Sequence, residues 1–407
     1  MTRLFDINAI RADFPILTRE INGNPLIYLD NAASAQKPIA VMDAMRNQME
    51  QSFANVHRGL HSMANETTEA FEGAREKVAR FLGAPSSDNI VFTKGASEAL
   101  NLVAYGLAHQ IEEGDEIIIS QMEHHSNIVP WHFLRERKGA VLKFVPVLEN
   151  GELDLDALKS MLSAKTKIVS LVHMSNVLGT VNPIKKIAPW VKATGAWFVV
   201  DGTQYAVHRP VDVDDLGVDF YAMTGHKLYG PTGIGALYGT MDGLETMQPF
   251  NGGGEMIEDV FEDRVTYNDP PHKFEAGTPP IIQAIGFGAA IDWVSQFDPE
   301  DVHQHEMACY HAALDGLKDI ERFKLYGDAP NKGAVLSFAI EGAHPHDLAQ
   351  ILDKYGIAIR AGQHCTQPLM TRLGVHSTAR ASFGIYNTIA EAEALVEGVK
   401  KAASFLS

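Results

Sequence analysis

Between residues 89 and 204 the chain repeats one unit: a short run of apolar, mostly β-branched residues, a polar or glycine-containing turn, then a helical pattern. "NIVFTKGASEALNLVAYGLA" reads strand, turn, helix, and "DEIIISQMEHHSNIVPWHFL" reads so again. "TKIVSLVHMSNVLG", "PIKKIAPWVKATG" and "AWFVVDGTQ" continue the alternation. Runs of this length, separated by amphipathic helices, predict an α/β layer with a mostly parallel sheet flanked by helices. "DFYAMTGHKLYGPTGIGALYG" adds two strands joined by a Gly-rich loop. After about residue 285 the pattern changes. A long amphipathic stretch leads into "GAVLSFAI", "HPHDLAQILDKYG", "IAIRAGQHC" and "ARASFGIYN", which predict a smaller α+β domain.

The chain has 407 residues, 45% of them hydrophobic and 21% charged, which suits a large domain with a smaller companion. Its formal net charge of −17 argues against nucleic acid or an anionic membrane surface as partner. No apolar run reaches the roughly 18 residues of a membrane span, and the first residues lack the apolar core of a secretion signal. Two cysteines make no disulfide framework. The expectation is a cytoplasmic protein in a reducing compartment, where a thiol stays available.

In a parallel α/β sheet, ligands collect at the carboxyl ends of the strands, and three polar signals fall there. Gly95, Ala96 and Ser97 open a helix whose Leu100, Val103, Ala104 and Leu107 share a face. Free N–H groups and a hydroxyl at a helix N-terminus make an anion site, although an ordinary helix cap reads the same way. Asp201 ends an apolar strand, either as a cap or as a carboxylate awaiting a buried cation. Lys227 stands between a strand and a Gly-rich loop whose spacing is not that of a P-loop. A lysine there is a solvated loop residue or one whose lowered pKa suits Schiff-base chemistry. Together the three supply a phosphate cup, an acid for a pyridinium nitrogen and a lysine for an aldehyde, the needs of pyridoxal phosphate. Cys365 sits in "RAGQHCTQP", a polar turn with Arg360, Gly362 and His364 around it, unlike a packed core thiol.

The chain resembles the class V, fold-type I pyridoxal phosphate enzymes, specifically the Suf-type cysteine desulfurases. The matching stretches are "YLDNAASAQKP", "NVHRGLHSMA", "SQMEHHSNIVPW", "HMSNVLGTVNP", "VVDGTQ", "TGHKLYGPTGIGALYG", "FEAGTPP", "RAGQHC" and "ARASFGIYN", in order from about residue 10 to residue 390. The resemblance implies that Lys227 carries the cofactor, His124 stacks on its ring, Asp201 meets its nitrogen and Gln204 lies near its phenolic oxygen. Ala96, Ser97, Thr224 and His226 would hold the phosphate, and Thr278 would reach the phosphate of a neighbouring subunit. Asn176 and Arg380 would bind the substrate carboxylate, with Arg360 beside them. Cys365 would accept sulfur, its thiolate favoured by Arg360 or a protonated His364. The implied activity turns L-cysteine, or L-selenocysteine, into L-alanine and leaves a persulfide on Cys365. A small acceptor protein would collect the sulfur, for iron–sulfur cluster assembly, and the enzyme would be a homodimer. The implied division is an N-terminal segment, 1–20, packing on the small domain, a cofactor-binding large domain, 21–285, and a small domain, 286–407, bearing Cys365.

Two departures stand out. The phosphate turn of the family often carries two threonines where this chain has Ala96 and Ser97. The cysteine loop often has a second histidine and a following alanine where Gln363 and Thr366 stand. Rival readings are a selenocysteine lyase, an aminotransferase, which gives Cys365 no task, and a Cys/His thiol hydrolase, which leaves Lys227 idle. His303, His305, Cys309 and His311 invite a metal reading. On a helix only His305 and Cys309 share a face, so no metal is expected and Cys309 reads as a buried helix thiol. His57 and His61 read as surface or capping histidines, and "FNGGGEMI" as a loop.

Overall fold

The computed structural model describes residues 3–406. Seven strands build the main sheet: β1 (Ile90–Thr93), β2 (Glu116–Ser120), β3 (Val141–Val145), β4 (Thr166–Val172), β5 (Trp197–Asp201), β6 (Phe220–Thr224) and β7 (Gly235–Gly239). Their order is β1-β7-β6-β5-β4-β2-β3. All neighbours run parallel except β7, which is antiparallel to both β1 and β6. The predicted pair around the Gly-rich loop is β6 and β7.

The apolar runs are continuous because both faces of this sheet are covered. Ile118, Val169 and Val200 point into one core, whereas Ile117, Ile119, Ile168 and Val199 point into the other. That alternation pins the register: a slip of one residue would exchange the two faces. The helix Ala96–Gly106 seals the second core with Leu100, Val103 and Ala104, all buried.

The smaller sheet is antiparallel, with β8 (Phe323–Tyr326), β9 (Val335–Ile340), β10 (Arg360–Gly362) and β11 (Thr378–Ser382) in the order β8-β9-β11-β10. Helices Pro299–Lys318, Pro345–Asp353 and Ile389–Phe405 close its core. Ile27–Tyr28 pairs in parallel with Ile357–Ala358, and Asp30 bridges to Ser382. An early segment of the chain is thereby carried into the small sheet.

Near the N-terminus, Arg11 binds the Glu391 carboxylate and the Tyr386 carbonyl, and the Phe5 ring lies on His305. Phe14 packs edge-on against Tyr229, Trp293 and Tyr386. Helix Ile281–Val294 runs unbroken through position 285/286 and packs on Ile39–Gln51 and Ser62–Leu82. On this geometry we propose the division between large and small domains after that helix rather than inside it.

Candidate active site

The carboxyl ends of β1, β2, β4, β5 and β6 open on one cavity of about 660 Å³. Ala96, Ser97, His124, Asn176, Asp201, Gln204, Thr224, His226, Lys227, Arg360, Cys365 and Arg380 all line it. Thr278 does not. It borders a separate, smaller cavity with Lys94, Glu98 and Pro280.

One end of the cavity is an anion cup. Helix Ala96–Gly106 begins at Gly95, whose φ of 151° and missing side chain leave the first N–H groups uncapped. Across the sheet Gly235 faces Gly95 so closely that a Cβ on Gly235 would lie 2.6 Å from the Gly95 Cα. Two glycines are therefore required where the backbone of β7 passes behind the turn. The Ser97 and Ser126 hydroxyls are 2.6 Å apart, and the buried Thr224 hydroxyl has no partner among the described residues. Ser126 thus supplies a second hydroxyl beside a turn that holds only one.

The centre holds the titratable groups. Lys227 Nζ donates to Gln204 Oε1 over 3.4 Å. Desolvation pulls the Lys227 ammonium down to about 8; the Asp201 carboxylate opposes this, and the Arg380 and Arg360 charges add to it. Asp201 is buried and accepts the Thr203 N–H at 3.0 Å. Burial and the Lys227 charge push His124 down to about 4, so its ring is neutral near pH 7. The Ser126 N–H donates to His124 Nδ1 at 3.1 Å, which leaves the ring proton on Nε2.

The other end is a carboxylate clamp beside the thiol. Arg360 and Arg380 sit directly opposite each other on β10 and β11. Two guanidiniums so placed would repel, and Asp30 lies between them. It takes Arg380 Nη2 at 3.0 Å and Arg360 Nη2 at 2.9 Å. Arg380 is buried, donates Nη1 to the Asn176 carbonyl, and keeps Nε unpartnered. Asn176 in turn donates to the His364 carbonyl and leaves its own Oδ1 free.

Cys365 is exposed in the single chain. It and His364 both adopt left-handed backbone, with φ of 56° and 52°. Consecutive non-glycine residues in that region cost about 1–3 kcal/mol each and need anchors. The His125 N–H holds the Cys365 carbonyl at 2.7 Å, and His364 Nε2 meets the Thr378 hydroxyl at 2.9 Å. The expectation of a protonated His364 beside the thiol is corrected here. His364 is buried, and desolvation with the Arg380 charge drives it down to about 3, so it is neutral in the working range. The cations near Cys365 are Arg360 and Arg380, whose charged forms are favoured by a thiolate there.

The remaining histidines have other partners. His61 caps helix Ser62–Leu82 by accepting the Ala64 N–H. His303 accepts from Arg209 Nη2, His305 bonds the Asn387 carbonyl, and Cys309 is buried. His57, Glu72 and His272 bring three ligand-type atoms within 4.8 Å of one another. Both oxygens of Glu72 are already held by Arg75, which also grips Glu275, so that group is the end of an ion-pair network.

The description of the aminotransferase class-V family matches residues 27–395. The chain belongs to that family. Within it, a probable cysteine desulfurase of Streptomyces coelicolor is 48% identical over 410 residues, spanning 99% of this chain and 98% of the relative. A probable cysteine desulfurase of Vibrio cholerae is 47% identical, spanning 99% of this chain and 100% of the relative. Among solved structures, the cysteine desulfurase CsdA of Escherichia coli superposes with a TM-score of 0.93 at 40% identity, each chain covered in full. The class-V fold is thus the predicted one: a mostly parallel sheet flanked by helices, with a smaller domain carrying the cysteine.

Asp30, Ser126 and Thr203 belong to the cavity or its clamp and were not among the residues singled out from sequence. Asp30 stands in "YLDNAAS", one of the stretches that carry the family resemblance, so the signal was present without a role attached.

Proposed function

We propose that this chain is a pyridoxal phosphate-dependent cysteine desulfurase of the Suf type that moves sulfur from L-cysteine to Cys365. The observation that carries the proposal is one cavity holding an anion cup at one end, Asp201 and Lys227 at its centre, and Arg380 and Cys365 at the other end. The fit to the cofactor rests on unmet polar groups: uncapped N–H groups at Gly95–Ser97 and a buried Thr224 hydroxyl suit a phosphate. The donor set suits the remainder, a buried carboxylate for the pyridinium nitrogen and a lysine for the aldehyde. When bound, pyridoxal phosphate supplies an electron sink for the bonds at the substrate α-carbon.

The chain's residues do the rest. Arg380, held by Asp30 and the Asn176 carbonyl, offers its unpartnered Nε–H and its charge to the substrate carboxylate. Lys227 takes the α-proton once its amine is neutral, which a pKa near 8 allows for about a tenth of the molecules at pH 7. Asp201 keeps a proton on the pyridinium nitrogen. His124, neutral with its proton on Nε2, can give that proton to the substrate carbon side and regain it. The Cys365 thiolate attacks the substrate sulfur; an S–S bond forms, the C–S bond breaks, and its electron pair stays with carbon, which takes up a proton. Cysteine and one enzyme thiol become alanine and one enzyme persulfide, with no external oxidant.

The same reading includes a homodimer. Met42, Met49, Phe53, Leu60 and Met63 are exposed apolar residues in one stretch of the single chain, and Thr278 does not line its own chain's main cavity. A partner subunit would cover the first and use the second. Delivery to a small acceptor protein for cluster assembly, in the cytoplasm, completes the proposal. Among the described residues no helix is long and apolar enough to cross a membrane.

The test is mass spectrometry of the Cys365 peptide after adding L-cysteine. One added sulfur on Cys365 with one alanine released per site is expected. Alanine released with no sulfur on that peptide would overturn the assignment.

A further inference from the structure

The histidine-rich stretch of helix Pro299–Lys318 has a second use. Helix Tyr205–His208 begins directly after Gln204, and its far end docks on that stretch through two contacts. Arg209 Nη2 donates to His303 Nε2 at 2.6 Å, and His208 Nδ1 lies 2.7 Å from Glu306 Oε2. His208 and Glu306 are both buried, with side chains 3% and 1% exposed. From His208 the contacts continue inward. His208 Nε2 is 3.3 Å from Gln204 Nε2, and Gln204 Oε1 is 3.4 Å from Lys227 Nζ.

The protons along this line can be assigned. Lys227 Nζ has hydrogens to give, so it requires the oxygen end of Gln204. The amide NH₂ then faces His208 and can only donate, so His208 Nε2 must present its lone pair. The imidazole proton is left on Nδ1, where a carboxylate accepts it. Glu306 therefore selects the tautomer, the tautomer selects the amide orientation, and the amide oxygen meets the lysine. Glu306 Oε1 has no partner among the described residues, where the carboxylate's hydrogen-bond partner is His208.

We propose that His208 and Glu306 are positioning residues that hold Gln204 with its carbonyl oxygen toward Lys227. The proposal rests on Lys227 being the cofactor-bearing lysine. The other charged and titratable groups on Lys227 are Asp201, Arg380, Arg360 and Asp30, with His124 and His226 beside it. Around Glu306 stand Tyr229, Cys309, His303 and Arg209, and none of these reaches Lys227. Donating a hydrogen bond to the Gln204 carbonyl favours the charged lysine, so releasing Gln204 lowers the pKa of Lys227.

The experiment follows Lys227 in the full chain freed of cofactor, using acetaldehyde with cyanoborohydride and peptide mass spectrometry across pH 6–10. His208→Phe is expected to move the midpoint down and to raise labelling at pH 7 by about two- to fivefold. Gln204→Leu should do the same, and the double variant no more than either alone, because both act through one amide. Glu306→Gln, which keeps an acceptor for Nδ1–H, should restore most of the wild-type profile. Additive shifts, or a wild-type profile in His208→Phe, overturn the proposal. Neutron diffraction of the unaltered protein reads the tautomer without any variant: a deuteron on His208 Nδ1 and none on Nε2 is expected, and the reverse overturns it. Failure of borohydride to fix pyridoxal phosphate on Lys227 overturns the cofactor reading itself. Normal fixing with an unmoved Lys227 profile overturns only the positioning role.

Discussion

The sheet end of the cavity and its thiol-bearing mouth are built in opposite ways. The sheet end hangs on five strands of the main sheet whose side chains alternate between two cores, so Asp201, Thr224 and the Gly95 turn are fixed by the sheet itself. The mouth is assembled from pieces far apart in sequence. Asp30 reaches Arg380 across 350 residues, and the Cys365 carbonyl is tied to the His125 N–H. The first end is rigid because the fold is rigid. The second is rigid because a few hydrogen bonds hold a costly backbone. On the proposed function, the difference separates two jobs: carbon chemistry over the main sheet, sulfur handling on an exposed turn.

Variants should respect that division. On the proposed function, Lys227→Ala removes the base and the cofactor's anchor at once. Turnover should vanish, and with it the absorbance that borohydride bleaches; activity near wild type would break the division at its root. Cys365→Ser should lose all sulfur transfer while still loading cofactor and binding cysteine, as judged by the spectral change on adding substrate. If it also lost the cofactor, the two ends would not be independent. Asp201→Asn should keep the cofactor yet lower kcat by about 10²-fold or more, since an amide cannot hold the pyridinium proton. A matched fold with unchanged kinetics would return Asp201 to a capping role. The smallest effect is in pH. With Lys227 near 8, the neutral amine rises from about a tenth at pH 7 to about half at pH 8, so proton abstraction should quicken about fivefold over that unit. The deuterium effect at the α-carbon, followed across pH, reads that step alone; a flat profile would shift the base to another group.

The sheet end was legible in sequence because its parts follow strands. "WFVVD" and "FYAMTGHK" announce a strand and place Asp201 and Lys227 at or just beyond its end, where the topology gathers ligands. The division of the chain was less legible, since helix Ile281–Val294 has the same texture on both sides of residue 285. The mouth was legible only as a list of residue types. Nothing local in "YLDNAAS" says that its aspartate will lie between two arginines on a different sheet. The protonation of His364 was misread for the same reason. Its neighbours in sequence are polar, but its neighbours in space are Thr378 and two guanidiniums, and it is buried. The hydroxyl that Ser126 adds to the anion cup was likewise hidden, because Ser126 belongs to the turn after β2 rather than to the turn after β1.

The two left-handed residues at His364 and Cys365 bear on durability as well as on catalysis. A thiol anchored in an exposed turn cannot be drawn back when no substrate is present. Between turnovers it stands open to peroxide as it does to an acceptor. Oxidation to a sulfenic acid can be reversed by a thiol, whereas the sulfinic and sulfonic acids end the enzyme's working life. A persulfide occupies the same sulfur and can be cleared by thiols to return the parent cysteine. On the proposed function, a steady supply of cysteine would shield Cys365, and the idle enzyme would lose activity to peroxide faster than the busy one.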